Sequence, residues 1–297
     1  MTSPPVDKRR RLPRPTGRPV PGPPPNSTAP AGFRRTSTPR LAWSFFRVGA
    51  MNELQYRANF FIQLLQSSLT LGAGLVGLAV VFGRTHDLNG WNRAELLAVM
   101  GVFTMVGGIV NTFIVPNMQR LGEDIQRGTL DHVLTKPAAA QTLVSVRVVS
   151  IWQAVDVVAG LVVLVVAMVQ LHDGGNLPKR VGMFVGLLLL GSWTIYCFWL
   201  MLASSGFWIT RVDEMQELFQ GLFRSGQYPV RIYPSWMRFG LTFLVPIGFA
   251  VTVPAEAAID RLSGFTVLVA VAAALLLGLV SRWIWHRGVR RYAGASA

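Results

Sequence analysis

Few side chains in this sequence could do chemistry, and their spacing argues against most kinds. Its three lysines are Lys8, Lys136 and Lys179, and none follows a GxxxxG run, so no phosphate-binding loop for a nucleotide is present. Four histidines (His86, His132, His172, His286) and a single cysteine, Cys197, are scattered without the ligand spacing of a metal site. No serine sits in a nucleophile-elbow context, so no catalytic residue and no metal are expected. One acidic residue is conspicuous: Asp156, in IWQAVDVVAG, lies near the middle of a long apolar run. A carboxylate inside a membrane costs about 3 kcal/mol or more unless it is paired or faces water. It reads either as a ligand for a cationic or polar substrate or a gate contact, or as a structural group protonated or bonded to Asn111 or Tyr196.

The densest polar cluster is Gly122–Pro137, GEDIQRGTLDHVLTKP, between two apolar stretches. Glu123, Asp124, Arg127, Asp131 and Lys136 alternate there with apolar residues at helical spacing. Gly128 is placed to end one helix in a left-handed turn, Thr129 to cap the next, and Pro137 to stop it. The spacing predicts two short helices on a membrane surface, anchored to a span at each end: a lever. A solvated loop with incidental charge pairs is the plainer alternative.

Composition sets what must hold these groups. Hydrophobic residues make up 51% of the chain, and Lys and Arg (28) outnumber Asp and Glu (14). Several apolar runs have membrane-spanning length, and the positive charge gathers at their ends and in the first forty residues. That pattern indicates an integral membrane protein in the lipid bilayer, not a nucleic-acid binder. Residues 1–40 are Pro- and Arg-rich with little to bury, and read as a disordered basic cytoplasmic tail. Leu41–Tyr56 reads as an amphipathic helix in the interface, leading into a six-span domain over 41–297.

The expected fold is therefore an all-α integral membrane protein with six transmembrane helices. The spans are expected near Asn59–Phe82, Glu95–Asn117, Leu143–Leu171, Val181–Ile209, Trp236–Pro254 and Phe265–Trp285. Arg211–Arg224 is charged but periodic, and reads as a second interfacial helix. Pro246 and Pro254 are candidate helix breaks. On this layout 23 of the 28 basic residues share the side of the tail, which places both termini and the Gly122–Pro137 lever in the cytoplasm.

Two stretches carry a family resemblance. RGTLDHVLTKP (Arg127–Pro137) and YPVRIYPSWMRFGLTFLVPIGFAVTV (Tyr228–Val253), followed by Pro254 and Ala255, resemble type-2 ATP-binding-cassette (ABC) exporter permeases, in the bacterial branch with separate ATPase subunits. The resemblance implies a permease subunit of an ATP-driven exporter in the plasma membrane of a bacterium. Hydrolysis, with ATP and Mg, would belong to cytoplasmic ABC ATPase subunits, leaving this chain without enzymatic activity or cofactor. A second permease chain, the same or different, would complete the path. The loop after the second span would be the coupling helix, with Glu123, Asp124, Arg127, Gly128, Leu130 and Asp131 meeting the ATPase. The substrate would be drug-like or cationic, as a lone Asp156 allows. An ion-coupled secondary transporter and a non-transporting anchor or assembly protein are the alternatives.

Overall fold

The computed structural model describes residues 57–84, 87–131, 140–171, 177–209 and 212–295, together with Arg47 and Met51. The tail, nearly all of the Leu41–Tyr56 helix, and the Gly122–Pro137 stretch from 132 onward lie outside these residues. Within them the chain is helical, with one isolated bridge between Leu88 and Trp91 as its only β pairing. Five long apolar helices form the bundle: α1 Arg57–Phe82, α2 Arg93–Gln126, α4 Ile151–Leu171, α5 Leu177–Phe207 and α9 Gly264–Ala295. A short α3, Ala140–Ser145, precedes α4. Between α5 and α9 come α6 Val212–Phe223, α7 Ser235–Leu244 and α8 Gly248–Ala258.

The start of α2 shows how local sequence fixes an element. Asn89 and Gly90 both take positive φ in the turn after α1, as a tight reversal requires. Asn92 then caps α2 reciprocally with Glu95, whose amide donates to Asn92 Oδ1 and whose carboxylate accepts from the Asn92 amide, both at 2.9 Å. The helix that follows is the centre of the molecule: most of its apolar stretch is buried, whereas that of α1 is largely exposed. Helices α1, α4 and α9 turn most of their apolar surface outward, as lipid-facing helices do. The tightest seam joins α2 to α4. A Cβ on Gly101 would stand 2.7 Å from Leu164 N, and one on Gly108 would stand 2.6 Å from Val157 N. Only glycine allows these backbones so close.

Contacts at the helix ends define two faces. Trp152, at the start of α4, packs on Phe60 near the start of α1, and Phe207 at the end of α5 packs on Trp285 and Tyr292 near the end of α9. These ends form the near face. On the far face, Arg261 pairs with Glu95 (3.0 Å) and donates to the Gly90 carbonyl (2.8 Å). Arg180 donates to the Ala258 carbonyl there (2.6 and 3.1 Å).

Those faces correct two expectations. Arg211–Arg224 is not interfacial: α6 leaves the near face, Phe219 packs on Phe198, Phe223 stacks on Phe103, and Gly226 lies against Phe103. By Arg231, whose carbonyl accepts from Asn89 Nδ2, the chain has reached the far face. Residues 212–232 thus traverse the bundle as its fifth pass. Conversely, Trp236–Pro254 is not a crossing. Helices α7 and α8 fold against each other at 81°, and both ends stay at the far face, where Arg231 pairs with Glu256 (3.1 Å). They form a re-entrant hairpin, with Pro246 at the bend. Pro254 sits differently, in the first turn of an α-helical segment that continues a π-type turn without a break. Arg231 and Arg238 move to the far face with this correction.

The third span is also shorter than expected. Instead of one helix from Leu143 to Leu171, the backbone breaks over Val146–Ser150 and α4 begins at Ile151. Helix α2 supplies backbone partners for much of the break. Pro116 has no N–H to offer the Thr112 carbonyl four residues before it, and a π-type turn precedes it at Val110–Ile114. The freed carbonyl accepts from Ser150 N at 3.1 Å. Asn117, 1% exposed, accepts from Arg147 N and Val148 N (both 2.9 Å) and donates to the Val148 and Phe113 carbonyls (both 2.7 Å).

Candidate functional site

Two places concentrate polar groups: the near-face elbow after α2, and a chamber between the helices that is open on one side.

The elbow is not a separate helix at its start. Glu123–Gln126 is the last turn of α2, which runs on as one helix from the far face. Gly128, at φ 69°, ends it: Gly128 N donates to the Ile125 carbonyl and Thr129 N to the Asp124 carbonyl, a Schellman motif. Asp131 is helical again. The six residues of interest divide into two sets. Leu130 is fully buried and Asp124 is 5% exposed, whereas Arg127, Gly128 and Asp131 are exposed and Glu123 is partly so. Glu123 pairs with Arg127 at 3.3 Å along the rim. Asp124 points inward to Arg147 Nη1 (2.6 Å) and accepts from the Thr129 hydroxyl (3.1 Å). The buried pair ties the elbow to the broken segment before α4. Removing one partner of a buried pair leaves the other charge uncompensated. Because Arg147 is partly exposed and Arg120 stands 3.7 Å from Asp124, Arg147→Ala is expected to cost about 2 kcal/mol, below the buried-pair range. A melting midpoint within a degree of wild type would refute this.

The chamber, about 570 Å³, lies among α1, α2, α4, Trp199 of α5 and the fifth pass. Asp156 is on its wall. It occupies the first turn of the α-helical part of α4, Ala154–Leu171, rather than mid-helix, yet it packs beside Gly108, midway along α2. It thus lies one helical turn from the near-face Trp152, level with the middle of α2. Its partners are neither Asn111 nor Tyr196: Gln63 Nε2 donates to Asp156 Oδ2 at 3.2 Å, with Ser67 as a second side-chain partner. Tyr196 is engaged elsewhere, with Ser145 at 2.7 Å.

Sequence reading missed most of this lining. Gln63, Gln66, Ser67 and Thr70 fall at i, i+3, i+4 and i+7 on α1, a polar stripe on an otherwise apolar helix. Gln220, Arg224 and Gln227 form the matching polar edge of the fifth pass. Both signals stand in the sequence as helical periodicity. Among the described residues no group of His, Cys, Asp or Glu could hold a metal ion.

A family model described as ABC-2 family transporter protein matches residues 69–296, from the middle of α1 to the end of α9. No curated protein and no solved structure matches the chain.

Proposed function

The chain belongs to the ABC-2 family of transporter proteins, and from that premise we propose that it is the permease of an ATP-driven exporter, driven through the elbow after α2. It is a multi-pass membrane protein and an ABC transporter permease, and permeases of this family are generally non-enzymatic and typically work with ABC ATPase partners. The finer reading is ours. The near face is cytoplasmic, the membrane is the bacterial plasma membrane, and ATP and Mg are held by a separate ATPase. A second permease completes the path, of which the chamber is this chain's share, and substrate leaves the cell.

The observation that carries this reading is the construction of the elbow. Its exposed rim, Glu123, Arg127, Gly128 and Asp131, offers both charges to a partner, and its buried set, Asp124 and Leu130, fixes that rim to the bundle. Complementary charge sets partner and register, and a capped helix end transmits displacement without bending. Between rim and chamber α2 carries the π-type turn at Val110–Ile114, and a push at Arg127 reaches Asn111 and Gly108 through that turn.

The double variant Arg127→Ala, Asp131→Ala tests the reading. Co-expressed with its ATPase, it is expected to lose ATPase association and at least tenfold of substrate-stimulated ATP hydrolysis, with the permease itself folded. Unchanged association and hydrolysis would sink the coupling role of the elbow.

A further inference from the structure

The chamber's lining is unusually polar for a site walled by largely apolar helices. Six carboxamides face it; Gln63 is bonded to Asp156, and the other five, from Gln66, Asn111, Gln153, Gln220 and Gln227, have no side-chain hydrogen-bond partner among the described residues. Each presents a donor and an acceptor together. Lipid tails can satisfy neither, so water or a polar ligand must. The two charged residues on the wall have opposite signs and come from different elements: Asp156 from α4 and Arg224 from the fifth pass. Asp156 lies level with Gly108, while Phe223, next to Arg224, stacks on Phe103. Five residues of α2 separate those levels, about 8 Å along the helix axis.

We infer that the chamber receives a zwitterionic, hydrogen-bond-rich solute, its cationic end at Asp156 and its anionic end at Arg224. This rests on the permease reading above and names the substrate class of the same site. A lipophilic cation fits worse. It could pair with Asp156, but it would lay apolar flanks over five amides that then lose their water, and it would bring a like charge to Arg224. A dipolar solute satisfies both charges, and hydroxyls or amides along its length exchange partners with the carboxamides. The chamber's volume is that of sites for small organic ligands. Trp199 and the stacked Phe103 and Phe223 supply flat apolar contact for the solute's body.

A tripeptide is a fitting probe, since an extended residue spans about 3.4 Å and three place amine and carboxylate about 10 Å apart. The permease is purified with its co-expressed ATPase, without nucleotide. Binding of trialanine is measured beside its N-acetylated and C-amidated forms and tetraphenylphosphonium. Trialanine is expected to bind, and blocking either end should weaken it tenfold or more on the wild-type protein, a result that needs no variant to fold. In Asp156→Asn the N-acetyl form should bind as well as free peptide, and in Arg224→Gln the C-amide should. As an independent readout, trialanine should slow labelling of Gln66→Cys by a hydrophilic thiol reagent, against a low background because Cys197 is buried.

Absence of trialanine binding at millimolar concentration overturns the inference. So does binding that ignores both end groups, or tetraphenylphosphonium binding more tightly than the free peptide. None of these touches ATPase association at the elbow, so the permease reading stands or falls separately on the Arg127, Asp131 experiment.

Discussion

Replacing Asn117 by leucine is expected to disable the protein more than replacing any charged residue of the elbow. The leucine fills a similar volume and adds apolar surface, so packing alone predicts a small effect. Hydrogen bonding decides the matter. Asn117 serves the amides of Arg147 and Val148 and the carbonyls of Val148 and Phe113, in a region where it is itself 1% exposed. The Phe113 carbonyl can fall back on its own helix, but the three groups of the broken segment have no such recourse. At about 1–3 kcal/mol for each of the three buried groups left unpaired, the cost lies between about 3 and 9 kcal/mol. Hydrogen bonds measured within membrane proteins average below 1 kcal/mol, so the lower end is the better expectation. Even that is a large share of the 5–15 kcal/mol typical of folded proteins. The measurement is the apparent melting midpoint of the purified permease, expected to fall by about 6 °C or more on the usual conversion for chains of this size. A fall of under 2 °C would mean that water or another side chain holds the break.

The same residue explains why a mutation there should also reach transport. Asn117 and the Asp124–Arg147 pair, with the Thr112–Ser150 bond, fasten α2 to the segment before α4, and Asp156 follows that segment within a few residues. Elbow and chamber wall thus share one short piece of non-helical backbone. Arg147→Ala and Asn117→Leu combined should lose less stability than the sum of their separate losses, because both act by freeing the same segment.

How far the sequence disclosed this arrangement depended on the range of the interactions involved. Spans built from uniform apolar runs, such as α1 and α9, are visible because the requirement is local: about twenty residues without charge. The cap at Gly128 is visible for the same reason. The break at Val146–Ser150 is not, since the segment is itself apolar and what releases it from the helix is an asparagine thirty residues earlier. The fifth pass and the re-entrant hairpin exchange identities for a related reason. An amphipathic helix has one periodicity whether its polar face meets bulk water or an internal chamber, so Gln220, Arg224 and Gln227 resemble a surface face. Trp236–Pro254 has spanning length, and only the far-face pairs of Arg231, Arg180 and Arg261 reveal that both its ends stay on one side.

The second large effect comes from adding a single methyl group. Gly160→Ala is expected to be strongly destabilising, and Gly186→Ala neutral or slightly stabilising, though both place the same residue in a membrane helix. On propensity alone each gains up to about 1 kcal/mol, so propensity cannot separate them. Space can. A Cβ at Gly186 has nothing within 4 Å, whereas one at Gly160 collides with the Met105 backbone nitrogen and stands 2.5 Å from the Gly101 carbonyl oxygen. Those obstacles are backbone atoms in the middle of the central helix, with no rotamer by which to withdraw. Helices α2 and α4 must separate, which forfeits dispersion contacts along the whole seam through Gly101 and Gly108. Overpacking typically costs about 1–3 kcal/mol, and this rigid case belongs at the upper end or beyond. The yield of folded protein extracted from membranes, followed by its melting midpoint, reads the difference. Equal behaviour of the two variants would show that the seam is looser than its geometry. The position of Asp156 links this to transport: Gly108 packs directly on it and on Val157, so a seam forced open moves the carboxylate on the chamber wall. Any Gly160→Ala protein that does survive extraction should therefore bind trialanine more weakly than wild type, while Gly186→Ala binds it unchanged.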